Sequence, residues 1–185
     1  SDGFGIFSGS SGNSNNYNTN STTYVAWNWK AGGSASSNSD GNITSTVSAN
    51  TTAGFSIVTY TGTGSTTTVG HGLGVKPEIV IYKERNSANS WRVMTDVSGT
   101  LKRIYLNVTD AQASITDSST APTSTVLNIG TGSEVNRSSS ATYVAYCFAS
   151  KKGFSKFGTY TGNGNADGTF VYTGFKPAFV IIKET

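Results

Sequence analysis

TYTGTG at residues 59–64, followed ten residues on by GVKPEIVIYKE at 74–84, decides how the chain is read, because both stretches return. TYTGNG stands at 159–164 and GFKPAFVIIKE at 174–184, an offset of 100 residues with no gap. TYVAWNW at 23–29 recurs as TYVAYCF at 142–148, and GFS at Gly54 as GFS at Gly153. Self-similarity at a fixed spacing marks a repeat architecture.

The blocks themselves read as strands. In 23–29, Val25, Trp27 and Trp29 face one way and Tyr24, Ala26 and Asn28 the other, a period of two that predicts a strand. Trp27 and Trp29 share one face and are expected in the core. Residues 142–148 keep the alternation, with Val144, Tyr146 and Phe148 as the aromatic face. Further strands are expected over 55–60, 66–69, 78–83, 91–95, 103–108 and 124–129, separated by Gly, Asn, Ser and Pro turn signals. Residues 79–81 and 179–182 are apolar on both faces, which predicts a central strand covered on both sides. Lys76-Pro77 and Lys176-Pro177 enter those strands at a position where proline is tolerated. Only residues 110–114 predict even one turn of helix. The fold class is therefore all-β: antiparallel β-sandwich units in tandem, with a period of about 100–120 residues and nearly no helix.

The repeat divides the chain. Residues 1–29 read as the closing part of one unit, their apolar patch of Phe4, Ile6 and Phe7 matching Val126, Leu127 and Ile129. Residues 30–53 read as a linker or surface loop, because the equivalent gap in the second copy is only residues 150–152. Residues 54–149 form the complete unit, and 150–185 open the next. Both ends read as cut from something longer. Residues 1–29 are expected to pair with 150–185, of the same chain or of a neighbour, unless sequence beyond the ends completes them. An unpaired strand at 179–182 would leave sheet edges that drive association.

Composition narrows the function. Serine, threonine, asparagine and glycine (27, 27, 16 and 22 residues) make up half of the 185, while charged residues are only 12%. Apolar residues still reach 35% and come in ordered blocks, so the chain can bury a core. The net charge of +3 is scattered, without the basic stripe a nucleic-acid surface needs. One cysteine, Cys147, excludes an intramolecular disulfide, and its counterpart Asn28 marks it as a small core residue without a redox task. No apolar run is long enough to span a membrane, so no membrane insertion is expected.

TYVAWNWKAGG, AGFSIVTYTGTGS, VGHGLGVKP, YLNVTDA, TYVAYCFA, SKFGTYTGNG and FVYTGFKPAFVIIK, taken together and in order, resemble a repeat of tail-fibre-like proteins of marine bacteriophages. The resemblance implies an extracellular structural protein of a virion tail or surface appendage. It also implies a homotrimeric or otherwise multimeric fibre built with other virion proteins, and it brings no catalytic, cofactor or metal residues with it.

The residues that might carry chemistry are few. His71 is the only histidine, and Val171 stands in its place one repeat later, so it reads as structural. GHGLG and TGTG lack the following GK[ST] of a phosphate loop and serve tight turns. Asp96 and Asp110 could in principle face one another across neighbouring strands, as the carboxylates of a glycosidase must, but the ten acids are scattered among turns. Trp91, Arg92 and Tyr105 are the candidate ligand or subunit contacts, with Trp91 following the polar turn RNSANS. Three functions follow in order: a spacer or attachment module of a virion fibre, a lectin-like module contacting host-surface glycan, and a capsule-degrading enzyme. No cofactor is expected, and the enzyme reading ranks last.

Overall fold

Alternation along residues 142–148 sets the centre of the molecule. Tyr143, Ala145 and Cys147 are fully buried, while Val144, Tyr146 and Phe148 between them are half-buried on the opposite face. The computed structural model describes residues 19–185. The apolar patch of Phe4, Ile6 and Phe7 therefore lies outside the described residues. In chain order the strands are β1 (Ser36–Asn38), β2 (Ser45–Asn50), β3 (Phe55–Thr61), β4 (Thr67–Gly70), β5 (Ile79–Glu84), β6 (Arg92–Thr95), β7 (Lys102–Tyr105), β8 (Ala113–Ser114), β9 (Val126–Ile129) and β10 (Thr142–Phe148). A single helical turn, α1 (Ser133–Asn136), precedes β10.

Eight strands form one antiparallel sheet in the order β1-β2-β3-β10-β5-β6-β7-β8, and β4-β9 form a second, two-stranded sheet. The last strand of the unit thus enters between β3 and β5. Its register sets Phe148 opposite Phe55 on one side and opposite Ile79 on the other. The core lies where the small sheet meets the large one. Val58, Val80, Tyr82, Tyr143 and Ala145 of the large sheet pack with Val69, Leu127 and Ile129 of the small sheet and with Val135 of α1. Each such aliphatic or aromatic side chain contributes about 1.5–3 kcal/mol by leaving water. The all-β antiparallel class expected from the sequence holds, and β5 is central in the strand order, but its outer face with Ile79 and Ile81 is half-buried rather than covered.

Several expectations are corrected. Residues 30–53 are not a linker outside the unit, because they supply β1 and β2, with β2 paired to β3 from Thr46↔Thr59 to Asn50↔Phe55. STVSAN carries no alternating apolar row. Its buried serines are satisfied locally, Ser45 Oγ donating to the Gly70 carbonyl (2.8 Å) and Ser48 Oγ to the Gly33 carbonyl (2.7 Å). The helical turn lies at 133–136, and 110–114 carry the short β8 instead. Residues 23–29 form no strand, and Trp27 and Trp29 are 62% and 43% exposed rather than in a core. Residues 174–184, the copy of β5, also carry no strand, so the two copies are not the same element in this structure. A strand of that kind needs a neighbour on each side. β5 has β10 and β6, whereas among the described residues the second copy has no paired strand beside it.

The TYTG and TYVA motifs meet at α1. Tyr60 and Tyr143 stack with ring centroids 5.3 Å apart. The Tyr60 hydroxyl donates to the Val135 carbonyl (2.8 Å), and the Tyr143 hydroxyl to the Ser133 carbonyl (3.0 Å). Asn136, fully buried, then binds the glycine turn. Its Oδ1 accepts from the N–H groups of Thr63 (2.6 Å) and Gly64 (3.2 Å), and its Nδ2 donates to the carbonyls of Ser65 (2.6 Å) and Gly130 (2.9 Å). Gly62 is needed because a Cβ there would lie 2.7 Å from the Ser138 carbonyl oxygen, and Gly64 because its φ is +75°. Asn136→Ala should leave these donors and acceptors, part-buried apart from the buried Gly130 carbonyl, without their partner and cost about 1–3 kcal/mol. In urea denaturation the midpoint falls with the slope unchanged; an unaltered midpoint would show that the clasp carries no stability.

Candidate functional site

The inner face of the large sheet turns polar toward its β5-β6-β7 end. Register pairs Tyr82 with Arg92, and Arg92 with Tyr105, so two of the three candidate contact residues stand side by side across neighbouring strands. They point inward. Arg92 is 2% exposed, and its Nη1 donates to Asp117 Oδ2 at 2.5 Å, with Glu134 Oε2 at 3.7 Å. The Tyr105 hydroxyl accepts from Arg103 Nη1 and lies 3.4 Å from Glu134 Oε1. Gly132 makes room for the pair, since a Cβ there would collide with Asp117 Oδ2 and with Arg92 Nη1. Next along the same face, fully buried Glu84 accepts from Arg137 Nη2 and from Asn89 Nδ2, each at 2.5 Å. This is an internal ionic cluster that ties β5, β6 and β7 to the 117–137 segment. Arg92 is therefore a framework residue and not an open contact, because a lone arginine this deeply buried must be paired.

Trp91 is separate from it. It sits one residue before Arg92 and so faces the opposite side of the sheet, 38% exposed and stacked on Tyr146 with centroids 6.5 Å apart and planes 18° from parallel. Its backbone N–H donates to Asn107 Oδ1 (2.9 Å). Farther along this outer face, Thr46 pairs with Thr59 and Thr61 with Thr142. With Thr44, Tyr60 and Arg85 they line an open polar depression. Nothing local in the sequence marks this shelf, because Thr46, Thr59, Thr61 and Thr142 come from β2, β3 and β10.

Among the described residues, Glu84, Asp96, Asp117 and Glu134 each have a basic partner. Asp96 is engaged by Lys76. Asp117 and Glu134 approach one another around Arg92. Burial opposes ionisation of Asp117, yet its hydrogen bond to Arg92, the Arg92 charge and the Ser119 N–H outweigh this and hold the carboxyl below its ordinary value. A glycosidase acid needs the opposite shift. Among the described residues, no group of three His, Cys, Asp or Glu side chains is placed to hold a metal ion. Cys147 is fully buried, and burial pushes its thiol up to about 12, which keeps it protonated and unreactive.

His71 is fully buried, as a position shared with valine allows. Leu73 N–H donates to Nδ1 (3.3 Å), so the proton sits on Nε2, which donates to the Thr123 carbonyl (3.3 Å). Burial lowers its pKa from 6.5, with the Thr123 carbonyl and Asp40 opposing in part. The unfolded chain then takes up a proton before the native one does. The stabilising contribution is complete above pH 6.5 and is lost as pH falls through the depressed native value. Thermal unfolding of the wild type should therefore lose stability from pH 7 downward. His71→Val should flatten that slope while costing about 1–3 kcal/mol at pH 7.5, for the two partners left unpaired. An unchanged slope in the variant would remove His71 as its source.

No curated protein and no solved structure matches the chain. A family model does, over residues 1–185, and the chain belongs to that family, described as a domain of unknown function, DUF7483.

Proposed function

We propose that the chain is a structural module of a bacteriophage tail fibre or similar virion appendage, a spacer and attachment element in host adsorption. The observation that supports this most is where the polar side chains are spent. Arg92 is committed to Asp117 and Glu134, Glu84 to Arg137 and Asn89, and Asn136 to two backbone segments. All of them hold the module's own loops, which suits a part whose work is to be rigid, protease-resistant and repeated. The likeness of the repeated blocks to tail-fibre-like proteins supports the virion setting. With it come an extracellular location, a homo-oligomer of trimeric or other order, contacts with other virion proteins, and no enzymatic role.

One observation favours a second reading. The parallel stack of half-exposed Trp91 on Tyr146 is a platform suited to the C–H face of a sugar ring, as in a lectin-like module contacting host-surface glycan. The two readings separate in one set of experiments. Gold-labelled antibody against this chain should decorate the appendages of intact particles along their shafts, and label confined to the capsid or absent from particles would refute the fibre reading. On a glycan array the chain should stay unbound. Binding that disappears in Trp91→Ala would replace the spacer with the lectin.

A further inference from the structure

The C-terminal copy of the repeat keeps the turns of the first without its strands. Gly153, Gly164 and Gly174 have φ of +76°, +70° and +83°, beside +69°, +75° and +70° at Gly54, Gly64 and Gly74. The second copy is therefore bent at the same three places. What it does not have, among the described residues, is a strand between its β3-like and β5-like segments. In the complete unit β3 and β5 are joined only through β10, which is already engaged there. The chain holds one other stretch of the TYVA type, residues 23–29.

That stretch already lies beside the second copy. The Trp29 ring is 5.5 Å from Phe179 and 6.2 Å from Phe148, Trp27 is 5.5 Å from Phe179, and Phe157 is 6.1 Å from Phe148, measured between centroids. The two tails leave the large sheet next to each other. The Lys30 carbonyl accepts from Asn50 Nδ2 (3.1 Å) at the end of β2, and Ala149 N–H donates to the Gly54 carbonyl (2.8 Å) beside the start of β3. Transferred through the repeat, the register of β10 sets Trp29 opposite Phe179, as Phe148 stands opposite Ile79. It also sets Tyr24 opposite Tyr160, as Tyr143 stands opposite Tyr60. The Trp29–Phe179 contact is thus the pair this register requires. Tyr24, Val25, Tyr160 and the row from Phe179 to Ile182 are exposed and are the side chains that it would cover.

We propose that residues 23–29 are the docking strand of the same chain's C-terminal copy, inserted between 155–161 and 179–184 in the register of β10. Main-chain bonds on both sides of the inserted strand give the binding, and its alternating aromatic side chains fix the register.

The test uses the full chain with cysteine pairs. Asn28→Cys with Val180→Cys takes the places of Cys147 and Val80, which face each other in the β10–β5 ladder. Val25→Cys with Thr159→Cys takes those of Val144 and Thr59 on the other side. These four positions are exposed, so the complete unit folds regardless, and Cys147 is buried out of reach. After mild oxidation, non-reducing electrophoresis should show a cross-linked monomer for both pairs. It should form roughly tenfold faster than with the displaced pair Asn28→Cys and Ile182→Cys, because a slip of register separates the partners. A disulfide-linked dimer as the main product would place the strand on a second copy and overturn the claim for one chain. No cross-link, or equal rates in the matched and displaced pairs, would overturn strand docking altogether.

Discussion

The fold depends on one insertion: β10 lying between β3 and β5. Without it the large sheet is two separate pieces, β1-β2-β3 and β5-β6-β7-β8, with no ladder joining them. Its neighbours are far away in sequence, Val144 opposite Thr59 on one side and Lys83 on the other, so the sheet closes only when the last strand of the unit returns. Such closure carries a loop-entropy cost before any contact repays it. Repayment is concentrated in the same strand. Tyr143, Ala145 and Cys147 are all buried, and Tyr143 adds a stack on Tyr60 and a hydrogen bond to α1.

The polar interior follows from that insertion. With β10 in place, Glu84, Arg92, Arg103 and Tyr105 face inward toward the 117–137 segment, whose Asp117, Glu134, Arg137 and Asn136 meet them or the adjoining turn. A buried arginine costs several kcal/mol to desolvate, about as much as its pairing returns, so this cluster is better regarded as fixing how loop and sheet fit than as a source of stability. Arg92 Nε and Nη2 have no hydrogen-bond partner among the described residues, which raises that cost further. The outward face carries the opposite chemistry, a threonine shelf at one end and an aromatic group around Phe148 at the other.

Much of the sheet was legible from short β-branched, aromatic and apolar runs bounded by turn signals. β3, β4, β6, β7, β9 and β10 lie on such runs, give or take the residues at their ends, and β5 on a run apolar on both faces. β2 was hidden because serine replaces apolar residues on its buried face and finds backbone carbonyls there. Trp27 and Trp29 share one face of an alternating pattern, but a strand face is buried only when a sheet surrounds it, and a period of two carries no information on neighbours. In the candidate site, exposure of Trp91 could be read from the polar turn before it. The fate of Arg92 could not, since Asp117 lies 25 residues away and nothing local announces it.

Amide hydrogen exchange tests the central place of β10 most directly. If the unit closes through this strand, the amides of 143–147 and their partners in β3 and β5 should be among the slowest in the chain and should exchange together, through global opening only. The edge strands β1 and β8 should open earlier. Fast, independent exchange in 143–147 while β3 and β5 remain protected would contradict a fold held together by its last strand.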